Sequence, residues 1–271
     1  MINQPLPAFS NVVANGVATL RVPSYDLTLL RVQLKLGGTF TKAMIADIKV
    51  KVGSRVVYNV SGSELDLINK YRGIFDNASF LTLDFTERDQ PDVNARELGG
   101  YSLPYLRQLG DLNIEVAIAG ATNPTLEAVG FFNVPQGNPM LLKMVKFQNP
   151  TAPAGRFPIN LQLSGALVKR LYVLFAGTDW SASVDGNVNR VEVKKNGLVV
   201  WDMTCRQARF FEQEYRRVPQ SRCYVVDWIA DNNFSAHLKT DDARSLEINT
   251  FLTASDAPIV IAEVLDVPTN L

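Results

Sequence analysis

The sequence contains very little of what most enzyme sites need. Its 271 residues include one histidine, His237, and two cysteines, Cys205 and Cys223. One imidazole excludes most zinc sites and every mechanism that needs two histidines. The 27 basic and 27 acidic residues balance, which disfavours a protein that binds nucleic acid mainly through its phosphates. Because 46% of the residues are hydrophobic and 20% are charged, the chain can bury a core. The composition as a whole disfavours an enzyme.

Targeting signals are also missing. Met1–Pro7 carries neither a basic cluster nor a long apolar stretch, so no secretory signal is indicated. The most apolar run, Ala257–Leu265, is interrupted by Pro258 and Glu263 and is much shorter than the ~18 residues of a membrane span. The cysteines lie in no CxxC or metal-ligand spacing, so buried free thiols are favoured and a disulfide stays open. We expect a soluble protein made in the cytoplasm that does not itself span a membrane.

Hydrophobic and polar residues alternate through much of the chain. A period of two indicates strands that bury one face, as in antiparallel sheets packed as sandwiches. Leu171–Phe175 and Ile259–Ala262 are instead apolar on both faces, so they predict burial on both sides, between two sandwiches or between subunits. The alternating segments are Leu30–Leu36, Ile48–Val52, Leu81–Phe85, Leu112–Ile118, Val191–Val193 and Leu246–Ile248.

The second half of the chain repeats the first. Ile48–Lys51 matches Val191–Lys194 at an offset of 143 residues. The matches keep their order, and the offset changes only between strands, where insertions are tolerated. Such an ordered set indicates a tandem duplication. Further matches are Arg31–Val32 with Arg170–Leu171 at 139, Val56–Ser61 with Val199–Thr204 and Leu83–Phe85 with Val226–Trp228 at 143, Ile114–Val116 with Leu246–Ile248 at 132, and Asn133–Pro135 with Asp266–Pro268 at 133.

Each copy contains one short helix at the same place. Ser61–Glu64 and Thr204–Gln207 are both capping boxes, 143 residues apart, and Gly73 suits the end of the first helix. The sequence therefore predicts an all-β fold of two tandem β-sandwiches, each with one short helix between strands. We place the boundary at Gly137, so that the domains are residues 1–137 and 138–271.

No catalytic or cofactor motif is present. His237 lies between a polar turn and a strand, and the sequence has no GxSxG, GxxxxGK[ST] or GxGxxG. An ordinary surface or interface histidine is favoured. Loop carboxylates are candidate calcium ligands, but none has EF-hand spacing, so solvated carboxylates are the favoured interpretation. These carboxylates are Asp84, Glu87, Asp89, Asp92, Asp231, Asp241 and Asp242.

Basic and aromatic residues gather on the second helix and directly after it. Five arginines lie between residues 206 and 222, against only Glu212 and Glu214. Arginine and aromatic residues are enriched at interfaces, so this segment is a candidate contact with another subunit or with an anionic surface. A solvated amphipathic helix is the alternative. Together with the acidic loop of the first copy, the candidate subunit-interface residues are Phe210, Phe211, Arg216, Arg217, Asp89 and Asp92.

A tandem β-sandwich in a short, neutral chain without a catalytic constellation resembles the double jelly-roll major capsid proteins of the corticovirus type. These form tailless icosahedral phages with an internal lipid membrane. The resemblance covers the whole chain and is carried by its length, its duplication, the matched helices, and the local runs Ile48–Tyr71, Leu81–Phe85 and Gly165–Gly177. It implies two eight-stranded jelly rolls in each chain. It also implies a homotrimer of pseudo-hexagonal outline that tiles a virion shell over the membrane.

The resemblance also sets expectations for partners, cofactors and location. The partners would be neighbouring trimers, vertex and membrane-associated virion proteins, and the lipid membrane beneath the shell, without sequence-specific binding of nucleic acid. No cofactor is expected; calcium stabilises some such shells, but the resemblance assigns no ligands to it. The chain would reside in the virion, after synthesis in the host cytoplasm.

Two other classes of function remain to be weighed against this one. A tandem carbohydrate-binding or adhesin module would use exposed tryptophans. Trp201 and Trp228 occupy the core-patterned places of Tyr58 and Phe85, so only Trp180 is a good candidate. A tandem cupin or other β-barrel enzyme is disfavoured, because such a site normally needs a cluster of histidines.

Overall fold

A computed structural model describes residues 1–135, 137, 140–176 and 186–270. Two compact units are present among them. The first contains Met1–Lys70, Ile74–Met144 and the chain from Leu265 onward, and the second contains Tyr71–Gly73 and Val145–Val264. Each unit therefore contains a short segment from the other half of the chain. The boundary at Gly137 stays a prediction.

The first roll consists of strands β1–β9. They form two antiparallel sheets, one in the order β1-β9-β3-β6 with the short β7 beside β3, the other in the order β2-β8-β4-β5. Without β7, the eight main strands pair as 1-8-3-6 and 2-7-4-5, which is the order of a jelly roll. The strands are β1 (Ile2–Pro5), β2 (Gly16–Arg21), β3 (Thr28–Gly37), β4 (Ile45–Val52), β5 (Arg55–Val60), β6 (Phe80–Asp84), β7 (Tyr101–Ser102), β8 (Leu112–Ile118) and β9 (Thr125–Asn133).

The alternating residues of the first roll bury one face of each sheet, as predicted. On β3, Val32 and Leu34 are fully buried, and Val32 lies opposite Leu83 of β6. Between the two sheets, the ring of Tyr58 meets Phe85 edge to face, with ring centroids 6.0 Å apart. Three helices accompany the strands: α1 (Gly62–Tyr71), α2 (Val93–Glu97) and α3 (Leu103–Leu106).

The second roll consists of strands β10–β18 and repeats the same order. Its sheets run β10-β18-β12-β15, with the short β16 beside β12, and β11-β17-β13-β14. Its one helix is α4 (Cys205–Glu214). The strands are β10 (Leu141–Gln148), β11 (Gly155–Asn160), β12 (Leu167–Leu174), β13 (Val188–Lys195), β14 (Leu198–Thr204), β15 (Cys223–Asp227), β16 (Leu238–Lys239), β17 (Leu246–Leu252) and β18 (Ile259–Asp266).

The predicted fold class is confirmed: the chain is an all-β double jelly roll. One helix lies between the fifth and sixth main strands of each roll, where the two capping boxes predict it. The two strands that are apolar on both faces, β12 and β18, are buried along nearly their whole length. Cys205 and Cys223 are free and buried. No helix in the described part of the chain is long and apolar enough to cross a membrane.

Both capping boxes form as the sequence predicts. The backbone N–H of Glu64 donates to the Ser61 hydroxyl at 3.2 Å, and the Ser61 N–H donates to the Glu64 carboxylate at 2.7 Å. In the second roll, Gln207 N–H donates to the Thr204 hydroxyl at 3.4 Å, and Thr204 N–H to the Gln207 side chain at 3.0 Å. Each box therefore satisfies two backbone donors at the start of its helix.

We predict that Ser61→Ala and Thr204→Ala each lower the free energy of unfolding by about 1 kcal/mol, because a backbone donor at the helix start loses its partner. Urea denaturation followed by circular dichroism measures the loss. Ser63→Ala is the matched control, because Ser63 is an exposed residue inside α1 and alanine favours the helix. An equal loss from Ser63→Ala and Ser61→Ala would contradict the role given to the cap.

Candidate functional site

The surface of α4 and the turn after it contains part of the predicted interface set. Phe210 is 64% exposed, and Arg216 is exposed in a left-handed conformation (φ 61°). Phe211 is half-buried, and its ring meets Trp201 edge to face with centroids 5.9 Å apart. Arg217 points inward: it is 4% exposed and donates to the Asn232 side chain at 2.9 Å. The helix therefore brings Phe210 and Arg216 to the surface but directs Arg217 into its own roll.

The predicted acidic residues of the first roll lie in the loop after β6. Asp89 is exposed. Asp92 begins α2, where its carboxylate accepts from the N–H groups of Asn94 and Ala95 at 3.3 and 3.1 Å. Asp84 accepts from the N–H of Thr86 at 2.9 Å. Among the residues that the structure describes, no three His, Cys, Asp or Glu side chains group as metal ligands. The expectation of no cofactor, with calcium left open and its ligands unassigned, stays a prediction.

The aromatic residues weighed as sugar-binding candidates belong to the core where they are described. Trp201 lies in the core of the second roll, and Trp228 packs against it with ring centroids 6.3 Å apart. Trp180 lies outside the described residues. His237 is half-buried, and its Nδ1 lies 2.6 Å from the carbonyl oxygen of Phe234.

A cluster of buried charges lies in the second unit, around Arg170 and Asp227; we call it the Asp227 cluster. Arg170 Nε donates to Asp227 Oδ2 at 2.9 Å, and Arg170 also pairs with Glu263 at 3.1 Å. The hydroxyl of Tyr71 donates to the same Asp227 oxygen at 3.0 Å, and that of Tyr172 donates to Glu263 at 2.8 Å. All five side chains are almost fully buried. Burial raises the pKa of both tyrosines well above the ordinary value, so they stay neutral donors.

The first roll has an open cleft of about 390 Å³ beside α1, β3 and β6, which we call the Arg31 cleft. Within its lining, Lys42 and Lys70 each pair with both Asp66 and Asp76, at 2.5 to 3.1 Å. The lining also includes the basic residues Arg31 and Arg88, the buried acid Asp84, and Gln33, Asn69, Ile74, Phe75, Asn77, Phe80 and Thr82.

Two buried polar atoms at the Arg31 cleft have no hydrogen-bond partner within the described structure. They are Nε of Arg31 and Oδ1 of Asn69. Asn69 is only 6% exposed, and its amide nitrogen donates to the carbonyl of Thr82 at 2.8 Å. The Arg31 guanidinium lies over the ring of Phe131, 4.0 Å from its centroid. A buried donor and a buried acceptor without partners cost free energy until a ligand supplies them.

Comparison with known protein families decides what these two rolls are. Residues 3–133 match the model of the viral coat protein P2 N-terminal domain, and residues 141–268 match the model of its C-terminal domain. The chain belongs to the viral coat protein P2 family. It is a coat protein, and the capsid role that its sequence predicts is confirmed.

Several capsid proteins of known structure share the fold of this chain. The major capsid protein P2 of bacteriophage PM2 is 17% identical, with a TM-score of 0.83 over 98% of this chain and 97% of that one. The major capsid protein of Sulfolobus Turreted Icosahedral Virus is 15% identical, with a TM-score of 0.74 over 98% and 96%. The capsid protein of PBCV-1 is 10% identical, with a TM-score of 0.64 over 98% and 93%. A comparison with curated protein sequences gave no match.

Neither the Asp227 cluster nor the Arg31 cleft of this P2-family chain is among the features predicted from the sequence. A signal for them was present: Arg31 matches Arg170 in the repeat, and Asp84 matches Asp227. A basic and an acidic residue that recur at matched places in two copies indicate a charge pair across two strands. Such a pair forms in the second roll between Arg170 and Asp227.

Glu212 of α4 is a buried acid next to the Asp227 cluster. Burial raises the pKa of its carboxyl well above the ordinary value of 4.5, and the charge of Asp227 adds to the rise; Arg209 and the N–H of Val225 act in the opposite direction. A raised pKa in the folded state means that the folded protein favours the protonated form. Glu212 therefore costs stability as the pH rises above 4.5.

We predict that Glu212→Gln raises the free energy of unfolding at pH 7, because the amide keeps an acceptor for Val225 but carries no buried charge. The gain over wild type should shrink as the pH falls below about 4.5, where the unfolded carboxyl is also protonated. Urea denaturation at several pH values measures the difference. Glu127→Gln is the control, because Glu127 forms an exposed pair with Lys35 and should change little. A gain that does not depend on pH would contradict the assignment.

Proposed function

We propose that this coat protein is the major building block of an icosahedral virion shell. Three copies form a homotrimer of pseudo-hexagonal outline, and these trimers tile the shell over an internal membrane. The observation that carries the proposal is the duplication: each chain supplies two complete jelly rolls of the same strand order. Three chains then supply six similar rolls, and a ring of six similar units has a nearly hexagonal outline.

Charge and exposed side chains support self-association. With equal numbers of acidic and basic residues, copies can pack closely without strong mutual repulsion. Large hydrophobic side chains remain exposed in both units, among them Phe75 and Phe210. In the proposed shell, contacts between copies would cover side chains of this kind.

The proposal extends to the partners and the location of the trimer. Within the virion, neighbouring trimers, vertex proteins and membrane-associated proteins contact it, and the membrane lies beneath it. Before assembly the chain resides in the host cytoplasm. Its role is structural and not enzymatic, and it reads no nucleic acid sequence. Among the described residues, no observation favours the carbohydrate-binding alternative, because Trp201 and Trp228 are packed within the second roll.

We predict that the purified chain forms a species of about 90 kDa, three chains of 30.0 kDa. Light scattering combined with gel filtration measures the mass, and negative-stain microscopy should show particles of hexagonal outline. A protein that stays at the mass of one chain over a range of protein and salt concentrations would refute the trimer. A glycan array with a strong, specific hit would instead support the carbohydrate-binding alternative.

A further inference from the structure

The Arg31 cleft and the Asp227 cluster occupy the same place in the two rolls. Arg31 lies directly opposite Asp84 on the neighbouring strand, as Arg170 lies opposite Asp227. The Asp84 carboxylate accepts a hydrogen bond from the N–H of Thr86 at 2.9 Å. The Asp227 carboxylate accepts one from the N–H of Ile229 at 3.0 Å, again two residues further along the chain. The two places can therefore be compared residue by residue, at the offsets of the repeat.

The ends of the two helices match as well. The N–H of Ile74 donates to the carbonyl of Asn69 at 2.8 Å, and the N–H of Arg217 donates to that of Glu212 at 2.9 Å. In each pair the donor follows the acceptor by five residues, and the second pair lies 143 residues after the first. Gly73 and its counterpart Arg216 share a left-handed backbone, with φ of 69° and 61°. Each helix is thus followed by the same turn.

In the second unit, this place is filled by Tyr71–Gly73, the segment that ends α1. The hydroxyl of Tyr71 reaches Asp227, and its ring meets Tyr172 edge to face with centroids 5.8 Å apart. The carbonyl of Tyr71 accepts from the N–H of Val218 at 3.1 Å. The segment therefore supplies both an aromatic side chain and a backbone acceptor.

In the first roll, the corresponding place is the open Arg31 cleft. Arg170 has Glu263 as a second carboxylate partner, but the residue of the first roll at that position of the repeat is Gly130. Arg31 consequently lacks this carboxylate, and its Nε has no hydrogen-bond partner in the described structure. Phe75, the counterpart of Val218, is 87% exposed beside the cleft.

The repeat also indicates what would fill the cleft. At the offset of 143, the counterpart of Tyr71–Gly73 is Glu214–Arg216, at the end of α4. All three residues are exposed. The side chain of Glu214 makes no hydrogen bond or ion pair with the described residues, so its carboxylate is available to the Arg31 guanidinium. The Tyr215 hydroxyl can donate to the acceptor of Asn69.

We propose that Glu214–Arg216 of a second copy of this chain inserts into the Arg31 cleft. The Glu214 carboxylate binds Arg31, and the N–H of Phe75 donates to the Glu214 carbonyl, as Val218 donates to Tyr71. Among the described residues the cleft is open and Glu214 is exposed, so we assign the occupant to another copy. The contact joins unlike surfaces, so it repeats from copy to copy, and in the proposed trimer three such contacts close a ring. This inference rests on the proposed trimer and assigns one of its contacts.

The test is a charge exchange. Arg31→Glu and Glu214→Arg should each abolish the 90 kDa species at a concentration where the wild type is fully trimeric, because each places like charges together. The double variant restores opposite charges and should recover the trimer. Glu214→Arg changes an exposed side chain, so circular dichroism should show a wild-type fold. The matched controls, Arg21→Glu and Glu127→Arg, change exposed residues outside the cleft and should leave the trimer intact.

A cross-linking experiment gives a second, independent measurement. A chain that carries both Phe75→Cys and Glu214→Cys should form disulfide-linked trimers on a non-reducing gel, because paired backbone groups bring the two β-carbons within reach of a disulfide. Phe75→Cys with Leu198→Cys is the control, since Leu198 is also highly exposed but is not a counterpart of Tyr71–Gly73.

The outcomes separate this inference from the proposed function. Trimers that persist in both charge-reversal variants, without specific cross-linking, would overturn the inference and leave the trimer standing. A wild-type chain that is always monomeric would overturn both. Loss of the trimer in the single variants and recovery in the double variant would support the inference.

Discussion

The ion pair between Arg170 and Asp227 constrains the second roll, because two buried charges have lost their hydration and depend on each other and on neighbouring partners. A buried pair repays its loss of hydration only with good geometry and with additional hydrogen bonds. Here Glu263, Tyr71 and the N–H of Ile229 supply those bonds. Two neutral hydroxyls lie among these charges, and burial keeps them protonated.

The first roll has the same strand order as the second, but the place that matches the Asp227 cluster is an open cleft. Its arginine and aspartate lie at matched register positions, and its helix ends in the same turn. The second carboxylate is replaced by Gly130, and no described segment of the chain occupies the cleft. In a coat protein, such a cleft can serve as a contact between copies, because a shell is held together by surfaces that a single chain leaves uncovered. Unpaired polar atoms also favour a specific partner, because an unsuitable one leaves them buried and unpaired.

Much of the fold could be predicted from the sequence because strand burial repeats every two residues and capping residues act locally. Val32, Leu34 and both capping boxes lie where these patterns place them. The site was harder to predict because the direction in which each side chain points depends on contacts distant in the sequence. The sequence places Arg217 among the candidate interface residues, yet Arg217 points inward to Asn232. The sequence places Tyr71 at the end of an amphipathic helix. No local sequence pattern shows that its hydroxyl reaches Asp227, which lies 156 residues later in the chain.

The two places also differ in the chemistry of the segment that fills them. Tyr71 brings a neutral hydroxyl and an aromatic ring, which suit a site that is buried as soon as the chain folds. Its counterpart, Glu214, brings a charge, and a charge keeps an unassembled surface soluble while adding electrostatic steering when two copies meet. An apolar residue at position 214 would bind more indiscriminately before assembly. The duplication thus allows one copy of the site to specialise for folding and the other for contact between chains. The divergence of Tyr71 from Glu214, and of Glu263 from Gly130, is what this division of roles requires.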